Sequence, residues 1–277
     1  MNPETSLEQA GRTDDAVSLR LVLKTAPPDY LRGALDNPAL GHEELAILLD
    51  NRGAPPDVLT RIGRTRPWVR PRELKRALVT HPKTPATVSR ALLPHLFWRE
   101  LAAVAALAVV PPLVRREAEK LVRLRLPELS VGERVALARV AGRGLIAVLG
   151  EDAEGAVLRA LAGNPRATEG DIVRIVARAG APAELLAWLA EGSAWSQRGA
   201  IRLALVKHPR TRPAAALRLV GKLTRPQLRE IAGDEAAPRL VRVAAARRLG
   251  VDTPSDASLQ SPADRRHPES RGLSTSR

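Results

Sequence analysis

The chain has no cysteine, and its 277 residues include only one Phe, one Tyr, one Met and four Trp. Without cysteine there are no disulfides, thiolate nucleophiles or Cys-ligated metals. Strands favour aromatic and β-branched residues, whereas the apolar content here is mostly Ala, Leu and Val, of which Ala and Leu are strong helix formers. This composition predicts an all-α protein, and the missing cysteine fits a reducing, cytoplasmic location.

Long apolar runs are also missing. No stretch reaches the roughly 18 apolar residues that a membrane-spanning helix needs, so we expect no membrane partner. Residues 1–18 are polar and acidic, unlike a signal peptide. Because residues 1–15 and 252–277 hold few large apolar side chains, we expect both segments to be disordered and the folded domain to cover 16–251.

The charge is strongly unbalanced, with 44 Lys and Arg against 30 Asp and Glu and a net charge of +14. Residues 1–15 carry −3 and residues 252–277 are neutral, so residues 16–251 carry +17. An electropositive body favours association with acidic partners but does not bear on the fold.

A short phrase ending in Pro recurs along the chain, which is the signature of a repeat architecture. The copies end in Asn37-Pro38, His81-Pro82, Asn164-Pro165 and His208-Pro209. Two neighbouring pairs of these prolines are each 44 residues apart, and Pro127 lies near the middle of the remaining 83-residue gap. Paired apolar residues follow each of the five prolines at offsets ten and eleven. The chain is therefore predicted to contain about five repeats.

Proline ends a helix because it distorts the preceding residue and lacks the N–H of the next hydrogen bond. His81 and His208 stand where Asn37 and Asn164 stand in other copies, so all four are interpreted as helix caps or turn formers rather than metal ligands. The segments 130–133 and 168–171 have the pattern of capping boxes. These signals divide each unit of 38–45 residues into three helices.

Two segments resemble known helical repeats. Residues 233–250, GDEAAPRLVRVAAARRLG, resemble the first helix of a HEAT repeat, with Asp and Pro at its start, then Arg and an Ala-rich stretch ending in Leu-Gly. Residues 81–88, HPKTPATV, are similar to the variant leucine-rich repeat. The resemblance covers about residues 20–250 and implies a right-handed α-solenoid of about five HEAT/armadillo-like repeats, although three helices per unit departs from both families. Such folds serve many functions.

Catalytic signatures are missing from the sequence. There is no nucleophile elbow, phosphate loop, His-Glu-x-x-His motif or dinucleotide fingerprint, and the five His residues are isolated. We therefore predict no catalytic residue, no cofactor, no metal and no small-molecule substrate. The chain is interpreted as a non-catalytic binding or scaffold module for a protein partner.

A nucleic-acid-binding solenoid is the alternative. Residues 61–76 hold seven basic residues around Trp68, and Arg interleaved with an aromatic can grip phosphates and stack on bases. The same segment also fits an inter-repeat loop whose Trp packs while its Arg residues stay solvated. A HEAT-like DNA glycosylase or lyase, which needs an acid beside Trp68 or Trp195, is a third hypothesis.

Further Arg groups recur on the helix before the Pro phrase or its equivalent, and side-by-side stacking of equivalent helices would align them into a basic ridge. Trp188, among Leu185, Leu186 and Leu189, is predicted to lie in the core. The candidate binding surface comprises Arg61, Arg64, Arg66, Trp68, Arg70, Arg72, Arg115, Arg116, Arg123, Arg198, Arg202, Arg239 and Arg242.

Overall fold

The computed structural model describes residues 3–250, with side chains from residue 6 onward. Within these residues the chain forms eighteen α-helices and no β-strand, which confirms the all-α prediction. No helix among them is both long and apolar enough to cross a membrane. The predicted disordered tail, 252–277, lies outside the described residues.

The chain divides into two compact units, Met1–Leu185 and Leu186–Arg277. The first contains α1 (Pro3–Thr13), α2 (Ala16–Val22), α3 (Pro28–Ala34), α4 (His42–Leu49), α5 (Pro56–Arg64), α6 (Arg72–Thr80), α7 (Ala86–Leu92), α8 (Trp98–Ala106), α9 (Pro112–Arg125), α10 (Val131–Val140), α11 (Arg143–Leu149), α12 (Gly155–Ala162) and α13 (Glu169–Ala177). The boundary falls within α14 (Ala183–Ala190). The second contains α15 (Gly199–Lys207), α16 (Pro213–Val220), α17 (Arg225–Gly233) and α18 (Arg239–Leu249).

Many of the prolines lie at the starts of helices. Proline is the N-cap residue of α3, α5, α6, α7, α9 and α18, where a missing backbone N–H breaks no intrahelical bond. The two predicted capping boxes are confirmed. Ser130 accepts a hydrogen bond from the N–H of Glu133 at the start of α10, and Thr168 accepts one from Asp171 at the start of α13.

The N-terminal segment differs from the predicted disorder, because Pro3–Thr13 form α1 and pack closely against α3. Two glycines allow this approach: a Cβ on Gly11 would collide with the backbone of Tyr30, and one on Gly33 with the backbone of Glu8. The Tyr30 hydroxyl also donates to the Asp14 carboxylate at 2.5 Å. The sequence of α1 holds few large apolar side chains. Its burial comes instead from close backbone contact with α3.

Three helices lie between successive proline anchors. Helices α4–α6 lie between Pro38 and Pro82, α7–α9 between Pro82 and Pro127, and α10–α12 between Pro127 and Pro165. Packing follows a different period, because α9 makes its extensive contacts with α7, α8 and α11 rather than with its sequence equivalents α6 and α12. The expected side-by-side stacking of equivalent helices is therefore not how this unit is built.

Buried Asn side chains join three turns to the turn two helices earlier. The Nδ2 of Asn164 donates to the carbonyls of Ala138 and Ala141, at 2.8 and 3.0 Å, and its Oδ1 accepts from the N–H of Arg166 at 2.8 Å. Asn37 does the same with Gly11, Asp14 and Ala39, and Asn51 with Leu23, Ala26 and Gly53. These bonds satisfy carbonyls that helix ends leave without intrahelical partners.

Arginine performs this role at two turns. The guanidinium of Arg125 donates to the carbonyls of Pro94 and Leu96, and that of Arg178 donates to the carbonyls of residues 150–152. The structure also places His81 and His208 as the C-cap residues of α6 and α15, which confirms their interpretation as caps.

The prediction that Trp188 belongs to the core is wrong, since it is 37% exposed. Leu185, Leu186 and Leu189 are almost fully buried and define the inner side of α14. At about 100° per residue, Trp188 lies well to one side of that stripe, so its spacing does not bring it inward.

Candidate functional site

Two of the predicted surface arginines have structural partners. The guanidinium of Arg61 forms an ion pair with Asp36, which follows α3. Arg72 lies 3.5 Å above the centre of the Phe97 ring and 3.6 Å from a carboxylate oxygen of Glu100 on α8. Both arginines therefore link their own helix to a neighbour.

The loop between α5 and α6 presents the other basic residues of this cluster. Arg64, Arg66 and Arg70 are exposed and form no ion pair within the described part of the chain. Trp68 is half-buried, and no acid lies in the loop beside it. This arrangement fits the interpretation of the segment as a loop whose Trp packs while its Arg residues stay solvated. It also leaves three arginines available to a ligand.

The arginines of α9 differ from one another. Arg116 is exposed, whereas Arg123 pairs with Glu119 at 2.5 Å and donates to the Gly144 carbonyl at 2.9 Å. Arg115 is half-buried, with an Nε that has no hydrogen-bond partner in the described residues. Helix α7 packs against both α5 and α9, so it separates this group from Arg61 and Arg64.

The second unit carries the remaining predicted residues. Arg198 is exposed at the N-cap of α15, and Arg239 is exposed at the first position of α18. Arg202 and Arg242 are half-buried along the same two helices, and Arg202 donates to the carbonyl of Gln197 at 3.2 Å. The predicted residues thus occupy several separate helices.

An open groove lies elsewhere, across α6, α8 and α10 of the first unit. It consists of two cavities of about 460 and 670 Å³ that both border Ala103 of α8 and Leu107, the C-cap residue of that helix. Its lining is small and apolar around the 670 Å³ cavity, where Ala106, Ala136 and Val140 contribute. Leu107 is 39% exposed and Val140 53%, which is high for apolar side chains in one concave site. We call this the α8 groove.

Four exposed arginines line the α8 groove. Arg52 and Arg76 border the 460 Å³ cavity, and Arg99 and Arg166 border the other. None of the four forms an ion pair with a carboxylate within the described residues, in contrast to Arg61, Arg72 and Arg123.

Acids are fewer in the α8 groove. Glu100 accepts a hydrogen bond from the Phe97 N–H at 2.8 Å and also faces Arg72, so it is occupied as the cap of α8. Asp50 is the other acid of the lining. The groove therefore combines an apolar floor with surplus positive charge.

Trp98 fixes one wall of the groove. Its indole Nε1 donates to the Glu133 carboxylate at 3.1 Å, joining α8 to α10, and the Arg99 guanidinium lies 5.1 Å from the ring centre. Hydrogen bonds from Ser130 lower the pKa of Glu133 most, with further contributions from Trp98 and nearby Arg99. The carboxylate thus stays ionised and holds the indole in place.

Sequence reasoning missed the α8 groove. Arg52, Arg76, Arg99 and Arg166 are far apart in the chain, and only packing brings them to one site. One signal was available in the sequence. Residues 101–106, LAAVAA, include four alanines, which is more small side chains than a helix needs when it buries only one stripe.

No group of three or more His, Asp or Glu residues in the described part of the chain is placed to hold a metal ion. Comparison with protein-family models, curated proteins and solved structures finds no match to this chain.

Proposed function

We propose that the chain is a non-catalytic, cytoplasmic binding module whose α8 groove holds a protein partner. The observation that carries the proposal is the coincidence of exposed apolar floor and unpaired arginines in one concave site. Ligand sites are typically concave and mostly apolar, with a few polar groups that set orientation. The paired arginines elsewhere serve the fold, whereas those of the groove form no ion pair with a carboxylate in the described residues.

The scaffold proposed for this groove is a right-handed α-solenoid of about five three-helix HEAT/armadillo-like repeats beginning at the proline anchors, with α1–α3 preceding the first. The three helices between successive anchors support the repeat in sequence. The polar side chains of Asn37, Asn51 and Asn164 support stacking of successive turns, but they reach back two helices and so follow a packing period of two helices. In repeat proteins each unit contacts only its neighbours, and stacked units create extended binding surfaces.

Affinity capture with groove variants tests the proposal. Ala103→Trp fills the floor shared by both cavities, and Ala91→Trp adds the same side chain at an exposed position of α7 outside the groove. We expect the wild type and Ala91→Trp to retain the same protein from lysate of the source cells, and Ala103→Trp to lose it. Equal retention by all three chains contradicts the proposal.

Nucleic-acid binding is the second candidate, favoured by the unpaired Arg64, Arg66 and Arg70 around Trp68. It requires affinity for DNA or RNA that falls steeply with salt, because phosphate contacts release counterions. A labelled oligonucleotide titrated at low and high salt decides it. Loss of binding on changing all three arginines to Ala supports this candidate, and salt-independent or absent binding contradicts it.

A further inference from the structure

The α8 groove has dimensions that suit one helix. Packed helices lie about 8–10 Å apart, so a groove across α6, α8 and α10 extends for about 20 Å. A helix of about 13 residues covers that length at 1.5 Å per residue. The alanines of the floor, Ala103, Ala106 and Ala136, leave room for larger apolar side chains from a partner.

An extended peptide has less to gain there. The described elements are all helices, so no sheet edge is present among them to pair with a partner's main chain. A helix satisfies its own backbone hydrogen bonds and docks with side chains at i, i+3, i+4 and i+7. The groove therefore favours a helical partner segment.

The charges of the groove indicate which charged residues the partner helix should carry on either side of its apolar stripe. Arg52 and Arg76 border one cavity and Arg99 and Arg166 the other, so positive charge borders both cavities. Glu100 is engaged by the Phe97 N–H and Arg72, which leaves Asp50 as the only other lining acid. Complementary charge steers association and rejects partners of like sign.

Nucleic acid fits this site less well. Single strands bind through aromatic faces on which bases stack. Trp98 is the only Phe, Tyr or Trp of the lining, and the imidazole of His81 is buried. The edge of the Trp98 ring is fixed on Glu133, and the Arg99 guanidinium lies 5.1 Å from its ring centre. The remainder of the 670 Å³ cavity is mostly methyl-bearing side chains.

We propose that the α8 groove binds an acidic amphipathic helix, with Leu-sized side chains on the alanine floor and Glu or Asp facing the four arginines. This inference rests on the proposed protein-binding function and adds the chemistry of the partner.

Three synthetic peptides test it against the full-length chain by fluorescence anisotropy. The first is a 14-residue helical peptide with Leu at i, i+3, i+4 and i+7 and Glu on both flanks. The second carries Lys in place of Glu, and the third is a scramble of the first. We expect the Glu peptide to bind at least about tenfold more tightly than either control, because only it matches both the apolar stripe and the charge.

Charge reversal in the protein separates local from general electrostatics. Arg99→Glu with Arg166→Glu is expected to weaken binding of the Glu peptide by at least about tenfold. Arg90→Glu with Arg218→Glu makes the same change in net charge at exposed positions outside the groove, and is expected to change the affinity by less than about twofold. Circular dichroism and thermal unfolding establish that each variant is folded.

Tight binding of the Lys or scrambled peptide, equal weakening by both double variants, displacement by an RNA oligonucleotide, or no binding of the Glu peptide each overturns the inference. None of these results decides the proposed protein-binding function, which the capture experiment with Ala103→Trp tests separately. If capture of a protein still depends on residue 103, the groove binds protein and only the acidic-helix chemistry is wrong.

Discussion

The side chain of His81 donates from Nε2 to the backbone carbonyl of Asn51, across 3.0 Å and thirty positions of sequence. Its Nδ1 accepts the N–H of Lys83 at 3.2 Å. Both ring nitrogens are therefore used by one neutral tautomer. Asn51 continues the same connection by donating to the carbonyls of Leu23 and Ala26. A chain of buried side chains thus ties together turns that are distant in sequence.

The first prediction concerns the protonation of His81. Burial lowers its pKa below the usual 6.5, with further lowering from Lys83 and Arg52. As pH falls below about 6.5 the unfolded chain binds this proton before the folded chain does, so the free energy of unfolding decreases. His81→Asn keeps a donor and an acceptor but does not titrate. Urea unfolding at pH 7.5 and pH 5 is expected to show a smaller loss for His81→Asn than for wild type, and an equal loss contradicts this role.

The second prediction concerns the cap at Asn164. Asn164→Ala leaves the buried carbonyls of Ala138 and Ala141 without their donor, and is expected to lower the free energy of unfolding by about 2–3 kcal/mol. Asn164→His, the residue found at positions 81 and 208, is expected to recover part of that loss. Chemical denaturation measures both, and equal destabilisation by Ala and His would refute the interchangeability of the two caps.

The third prediction concerns Asp171 at the start of α13. Burial alone would raise its pKa, but hydrogen bonds from Arg143 and Thr168 outweigh burial and bring the pKa to about 2, against the usual 3.8. The lowered value means that Asp171 stabilises the fold above about pH 4 and loses this contribution as pH falls toward 2. The linked free energy is about 2 kcal/mol at neutral pH.

Asp171→Asn tests this linkage. The variant is expected to be less stable than wild type at pH 7 and to approach it at the lowest pH at which both still fold. Thermal unfolding across this range measures the difference, and a gap that does not depend on pH argues against ionised Asp171 as the cause.

The fourth prediction concerns the link between α8 and α10. Trp98→Phe retains the aromatic ring but removes the Nε1 donor to Glu133, so it is expected to cost about 1 kcal/mol of stability. The Glu peptide is also expected to bind less tightly, because the wall of the groove is no longer fixed. Trp188→Phe makes the same substitution at an exposed position of α14, keeps the Trp98–Glu133 bond and serves as the control in differential scanning calorimetry.

The helical content and turns were largely predictable because Pro, Asn and capping boxes act locally. Asn164 before Pro165 indicates a helix end regardless of what surrounds it. Helix α1 was not predictable in this way, since its order depends on Gly11 and Gly33 allowing close contact with α3. That contact is between backbone atoms, so the pattern of apolar side chains in the sequence does not predict it.

The candidate site was less predictable than the fold. The density of Arg near Trp68 drew attention to Arg61 and Arg72, which turn out to hold neighbouring helices. Arg99 and Arg166 are separated by more than sixty positions and border the same cavity only after α8, α10 and α12 pack. The local density of charge in the sequence shows where arginines are numerous. Whether an arginine is available to a ligand depends on whether it forms an ion pair with an acid in the folded chain.

Photo-crosslinking from the α8 groove tests whether this groove holds a protein partner. Benzoylphenylalanine replaces Leu107, which both cavities share, and in a matched chain it replaces Ala91 on α7. After irradiation in the source cells, we expect a discrete adduct from position 107 that protease degrades and nuclease does not, and no such adduct from position 91. A nuclease-sensitive adduct, or identical products from both positions, would contradict a protein-binding groove.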